Sequence, residues 1–195
     1  MQADRFDADY YNRFYFSKAT RIAHPEYFDR IARFVSAYLD MLGCSIYNVL
    51  DAGCGAGLLH PGLRLAWPKV NIDAFDVSTY ACETYGWENA SLETFETDKV
   101  YDLVICHDVV QYLDRAAAKA ALDKLSSLTS TALFFGVLTQ EDWDNNCDQR
   151  LTDGDANLRT SAWYRKRLSG TFRNAGGGLY IRKDTDVVMY SLESL

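Results

Sequence analysis

The chain has 195 residues, 48% of them hydrophobic and 24% charged, with a formal net charge of −7. That length supports one well-buried domain rather than two, and the acidic balance argues against nucleic acid, whose phosphates need a cationic footprint, despite the basic run Tyr164-Arg165-Lys166-Arg167. Five cysteines (Cys44, Cys54, Cys82, Cys106, Cys147) lack CxxC spacing, the start Met1-Gln2-Ala3-Asp4-Arg5-Phe6-Asp7 lacks the blocks of a signal peptide, and no run of about 18 apolar residues occurs, so the expectation is a cytoplasmic protein with reduced thiols and no membrane partner.

From His24 to Gly43, apolar residues (Phe28, Ile31, Ala32, Val35, Tyr38, Leu39, Leu42) recur at helical spacing, and Gly43 supplies the stop. A first strand is predicted at Ile46 to Leu50 and a helix at Leu58 to Ala66. A second strand follows at Ile72 to Phe75, and a helix from Thr79 to Tyr85 ends at Gly86. A short third strand is read at Ala90 to Leu92. Tyr101-Asp102-Leu103-Val104-Ile105-Cys106 is a continuous apolar strand of the kind covered on both faces, after which Asp114 caps an alanine-rich helix to about Leu128. A fifth strand is placed at Ala132 to Leu138 and a helix at Ser161 to Phe172. A terminal hairpin is expected from Leu179-Tyr180-Ile181 and Val187-Val188-Met189-Tyr190 around the turn Lys183-Asp184-Thr185-Asp186. The alternation predicts an α/β, Rossmann-like, doubly wound sheet with an antiparallel edge.

The chemistry centres on Val49-Leu50-Asp51-Ala52-Gly53-Cys54-Gly55-Ala56-Gly57. A strand runs into an acid and three alternating glycines, which lack the Cβ that would hold a ligand off the backbone. Nineteen positions after Gly57, the second strand delivers Asp76, the βαβ spacing at which a carboxylate reaches the two hydroxyls of a ribose. A dinucleotide fingerprint starting at Gly53 requires Gly or Ala at position 58, where this chain has Leu58. Asp51 repels a pyrophosphate and suits the ammonium of an amino-acid tail.

These segments, from about Ile46 to Leu192, resemble the class I S-adenosylmethionine (SAM)-dependent methyltransferases, the glycine run corresponding to their motif I and Tyr101–Cys106 to their fourth strand. The resemblance implies a seven-stranded sheet, mostly parallel with an antiparallel last strand, and SAM as cofactor across the ends of the first four strands. It implies Gly53, Gly55 and Gly57 under the donor, Asp76 on its ribose, Val77 on its adenine, and Glu93 or Thr94 near the adenine amino group; Asp51 and Cys54 complete the cofactor set. Asp4 to Ala19 resembles the lids that fold over the donor, so residues 1–43 are expected to form a helical lid and 44–195 the core of a single domain.

Methyl transfer needs an acceptor held near the methyl carbon with water excluded. No HxH, HExxH or carboxylate cluster has ligand spacing, so no metal is expected. The loop after the fourth strand offers His107 as a base for an acceptor oxygen or nitrogen, with Asp108 beside it and Gln111 and Tyr112 a helical turn on. His24 and His60, each beside a proline at a helix start, read as local structure. The segment from Phe6 to Phe16 holds six aromatics in eleven residues and is either part of the acceptor pocket, through Tyr11 and Tyr15, or a helix covering the sheet edge. A polar insertion from Thr139 to about Arg159 adds Trp143, Arg159, Trp163 and Tyr164 as pocket candidates, with core packing as the other role of the last two. The function expected is methyl transfer to a small-molecule acceptor; the alternative is a noncatalytic SAM-binding sensor or partner subunit.

Overall fold

A computed structural model of the chain describes residues 3–21 and 24–190. Seven strands form one sheet in the order β3-β2-β1-β4-β5-β7-β6: β1 (Asn48–Ala52), β2 (Asn71–Asp76), β3 (Glu88–Asn89), β4 (Tyr101–His107), β5 (Thr129–Gly136), β6 (Phe172–Gly176) and β7 (Leu179–Arg182). The first five run parallel, and β7 is antiparallel to both β5 and β6. The helices are α1 (Ala8–Tyr11), α2 (Pro25–Met41), α3 (His60–Ala66), α4 (Thr79–Tyr85), α5 (Arg115–Leu128), α6 (Gln140–Asn145) and α7 (Ser161–Leu168).

The apolar runs of β4 and β5 follow from burial on both faces. Leu103, Ile105, Ala132 and Phe134 pack with Ala32, Val35 and Leu39 of α2 and Leu63 of α3. Val104, Cys106, Leu133 and Phe135 point the other way, onto Ala118, Leu122 and Leu125 of α5 and Leu168 of α7. With a period of two, only a strand covered on both sides is apolar at every position. Strand order reverses between β1 and β4, and in such sheets the crevice beyond the strands' carboxyl ends at that point is where ligands bind.

The terminal hairpin differs from the sequence expectation. Its strands are Phe172–Gly176 and Leu179–Arg182, joined at Gly176, Gly177 and Gly178, all with positive φ, whereas the predicted strand Val187–Tyr190 is not extended into the sheet. The glycine triplet makes the tight reversal that the polar stretch after Arg182 was expected to make, and the preceding helix stops at Leu168 so that Phe172 can enter the sheet. The third strand lies at Glu88–Asn89, ahead of the predicted Ala90 to Leu92. The insertion after β5 is partly helical, since Thr139 accepts a hydrogen bond from the Asp142 backbone N–H and starts α6.

Candidate active site

The turn after β1 is built from left-handed backbone: Gly53, Gly55 and Gly57 have φ of +78°, +54° and +64°. A side chain at Gly57 would also collide with the Trp87 ring, 2.7 Å from the position of a Cβ. Asp76 ties the turn to β2. One carboxylate oxygen accepts from the Gly55 N–H at 2.7 Å and the other from the Ser78 N–H at 2.8 Å. Burial raises the Asp76 carboxyl above the usual carboxylate range, while these backbone donors pull it back. The carboxylate retains acceptor capacity for a hydroxyl donor.

Two cavities open above the strand ends. The smaller, about 60 Å³, is bounded by Gly55, Asp76, Val77, Ser91, Leu92 and Val109; the larger, about 560 Å³, reaches from Asp51, Gly53 and Cys54 past His107 to Thr139, Tyr164 and Tyr180. They share the walls Tyr10, Tyr15, Gly53, His107, Asp108 and Tyr112. Burial pushes the Cys54 thiol well up, which leaves it a poor nucleophile.

His107 closes β4 opposite Gly136, and its ring lies parallel to that of Phe134, 5.8 Å away. Its Nδ1 sits 3.1 Å from Asp108 Oδ2, and among the described residues nothing hydrogen-bonds its Nε2. Burial disfavours the imidazolium, but the charge and hydrogen bond of Asp108 outweigh it and raise the His107 pKa above the ordinary value of 6.5. Asp108 has φ +58°, which among the described non-glycine residues is the one case of left-handed backbone. Asp tolerates that region, and such strain concentrates at functional sites. Gln111 Nε2 donates to the second Asp108 oxygen at 3.2 Å. The arrangement presents a hydrogen-bond acceptor, oriented by a carboxylate, at the junction of the two cavities.

No family model matches the chain. In sequence it is 32% identical over 93 residues to a ubiquinone biosynthesis O-methyltransferase of Rickettsia felis, a match covering 43% of this chain and 37% of that protein. The corresponding Rickettsia prowazekii protein is 33% identical over 102 residues, 48% of this chain and 39% of the relative. The match thus spans well under half the length of these curated relatives. Among solved structures, the magnesium protoporphyrin IX methyltransferase of Synechocystis PCC 6803 with bound S-adenosylhomocysteine (SAH) superposes with a TM-score of 0.62 at 20% identity, over 93% of this chain and 98% of that one. Streptomyces venezuelae DesVI gives 0.62 at 12% identity, over 90% and 97%. The chain has the class I SAM-dependent methyltransferase fold.

In this methyltransferase fold the sequence-predicted residues fall into two groups. Asp51, Gly53, Cys54, Gly55, Asp76, Val77, His107, Gln111, Tyr11, Tyr15 and Tyr164 line one or both cavities, and Gly57 lies behind the turn against Trp87. Glu93 and Thr94 are exposed and line neither, their expected place on the wall being taken by Ser91 and Leu92. Trp143 packs over Gly154. Arg159 lies between Trp163 and the loop before α5, donating to the Asn157 and Leu113 carbonyls, so its guanidinium is spent on backbone rather than held out to a carboxylate. The Trp163 ring meets the guanidinium groups of both Arg159 and Arg167.

The N-terminal segment lies over the glycine turn. The Tyr15 and Tyr11 hydroxyls come within 3.4 and 3.6 Å of where a Gly55 Cβ would be, Ser78 Oγ donates to the Phe6 carbonyl, and the Tyr10 and Tyr112 hydroxyls meet at 3.3 Å. Arg5 reaches the insertion, pairing with Asp153 at 2.7 Å and Asp155 at 2.9 Å. By contrast α2 lies under the sheet, its inward stripe at Ala32, Val35 and Leu39 in the core.

Sequence reasoning missed His60 and Trp87. His60 Nε2 lies 2.9 Å from Asp51 Oδ2 with both side chains buried, and the Trp87 ring stands edge-on to His60 while donating to the Gly55 carbonyl at 3.0 Å. In the sequence His60 shows only a proline beside it at a helix start, and its contact with Asp51 appears only in the folded chain.

Proposed function

We propose that the chain is a cytoplasmic SAM-dependent methyltransferase that methylates an oxygen or nitrogen of a small-molecule acceptor. The observation that carries this reading is the junction of the two cavities: the glycine turn and the carboxylate of Asp76 on one side, an open chamber on the other, and His107 with Asp108 between them. The donor set fits SAM. Asp76 offers acceptors to a ribose diol, Asp51 a carboxylate to an ammonium, and Tyr10, Tyr15 and Tyr112 offer aromatic faces to a sulfonium. When bound, SAM supplies an electrophilic methyl carbon and leaves as SAH.

The chain's own work is positioning and proton removal. The aromatic N-terminal segment covers the glycine turn, and the chamber of about 560 Å³ is of the size that holds small molecules. His107 Nε2 takes the proton of the acceptor as its oxygen or nitrogen is methylated, and Asp108 holds the ring and balances the resulting imidazolium. Curated relatives that methylate oxygen in ubiquinone biosynthesis, and similar folds that act on a porphyrin, support a small-molecule acceptor. Five unpaired cysteines, three of them buried, favour a reducing compartment.

Calorimetric titration of SAM, SAH and NAD into the wild type and into Asp76→Ala tests the reading. Binding of SAM and SAH but not NAD, lost in the variant, supports it, and a folded wild type that binds neither SAM nor SAH refutes it. Screening acceptors by SAH release then separates an enzyme from a protein that only senses the donor.

A further inference from the structure

The His60–Asp51 pair lies outside the proton path at His107. Asp51 ends the approach to the glycine turn and lines the larger cavity, while only 5% of its side chain and 3% of that of His60 are accessible. One oxygen, Oδ2, is held by His60 Nε2 at 2.9 Å; among the described residues nothing hydrogen-bonds Oδ1. A carboxylate only accepts, so Nε2 carries the N–H. The other ring nitrogen, Nδ1, is buried with no hydrogen-bond partner, facing Gly57 and the edge of Trp87. The bond from Nε2 to Asp51 is thus the ring's one hydrogen bond among the described residues.

The geometry points to His60 as the positioning residue of the donor's amino-acid tail: it holds Asp51 by Oδ2, so that Oδ1 is presented to the ammonium. This rests on the reading of the site as a SAM site and deepens it. Trp87 completes the support, because its indole N–H holds the Gly55 carbonyl while its ring fixes the plane of His60. A cationic residue at position 60 would cancel the charge of Asp51. An apolar one would leave Asp51 Oδ2 buried and unpaired, which costs the desolvation penalty of that oxygen, more than the net worth of the hydrogen bond.

The test compares two ligands that share adenosine and differ in the tail: SAH, which carries the ammonium, and 5′-methylthioadenosine, which lacks it. Affinities are measured by calorimetry for the wild type, Asp51→Asn, His60→Leu and His60→Gln, with thermal melting as the check on folding. Asp51→Asn keeps an acceptor for His60 but removes the charge, and is expected to weaken SAH by about tenfold or more while 5′-methylthioadenosine changes less than about threefold. His60→Leu, of similar volume, is expected to do the same, and His60→Gln, whose amide N–H reaches where Nε2 was, to recover most of the SAH affinity. An equal loss for both ligands in Asp51→Asn and His60→Leu means that the pair only supports the turn, and overturns the inference. If His60→Leu does not fold, the decision passes to Asp51→Asn and His60→Gln: an SAH preference unchanged in the first, or not retained in the second, overturns it. A wild type that binds neither ligand instead removes the donor reading itself, and this inference with it.

Discussion

Gly136 stands directly across the sheet from His107, and a Cβ added to it would lie 2.5 Å from the imidazole Cδ2. Glycine is required there by the ring and not by the backbone, since Gly136 is not among the positive-φ residues. Gly136→Ala is therefore expected to displace His107 while leaving the turn at Gly53–Gly57 untouched. Steady-state kinetics should show kcat falling about tenfold or more, since misplacing a catalytic group by 1 Å can cost about a hundredfold. SAH affinity by calorimetry should stay within about threefold of wild type. A loss confined to SAH affinity would contradict the assignment.

The pH dependence of kcat/KM carries the second prediction. A base acts in its deprotonated form, so the rate rises with pH through the His107 pKa, which Asp108 holds above 6.5 against the opposing effect of burial. In Asp108→Asn the charge is gone and burial remains, which moves the rise to lower pH. His107→Ala should lower kcat by about 10²–10⁴ and remove this limb of the profile. An unchanged profile in His107→Ala would show that positioning alone drives the reaction.

Asp76 ties the turn to β2 and, in the proposed donor site, also holds the ribose, and substitution separates the two. Asp76→Ala deletes the acceptors for the Gly55 and Ser78 N–H groups together with the ribose acceptors, and is expected to lower the melting temperature and abolish SAH binding. Asp76→Asn keeps one acceptor and should melt closer to wild type while still binding SAH at least about tenfold more weakly. Calorimetry and thermal melting on the same samples check both.

Arg5 joins the N-terminal segment to the insertion through Asp153 and Asp155, and packs on the rings of Phe6 and Tyr112. The pairs are partly exposed and so worth about 1 kcal/mol or less in total, which is about a fivefold change in an opening equilibrium. Arg5→Ala should raise hydrogen exchange in residues 3–16 by that factor, and high salt should produce part of the same change in the wild type. Exchange unaffected by the substitution would mean that the segment is held by its aromatic packing alone.

The parts of the site that are legible in the sequence are those made by neighbours along the chain. The glycine turn, the acid at the end of β2 and the apolar β4 each follow from local rules: left-handed backbone selects glycine, a βαβ unit fixes the distance to the next strand end, and burial on both faces demands a continuous apolar run. The hairpin was misplaced because Leu179–Ile181 has suitable flanks on both sides, and only pairing with β5 and the reversal at Gly176–Gly178 decides between them. Arg159 and Trp163 looked like pocket residues because their types are common in pockets; the fold instead stacks them on each other and spends the guanidinium on carbonyls at Asn157 and Leu113.

His60 shows the division most clearly. Sequence alone determined that an acid lies near the end of β1, that glycines follow it, and that a helix with a proline in its first turn comes next, because each depends on backbone conformation within a few residues. Tertiary structure alone decided that this helix turns its histidine onto Asp51, that Trp87 from beyond α4 closes behind them, and that tyrosines from the start of the chain cover the turn. These contacts are chosen by which surfaces remain to be buried once the sheet has formed, and no local pattern in the chain encodes that choice.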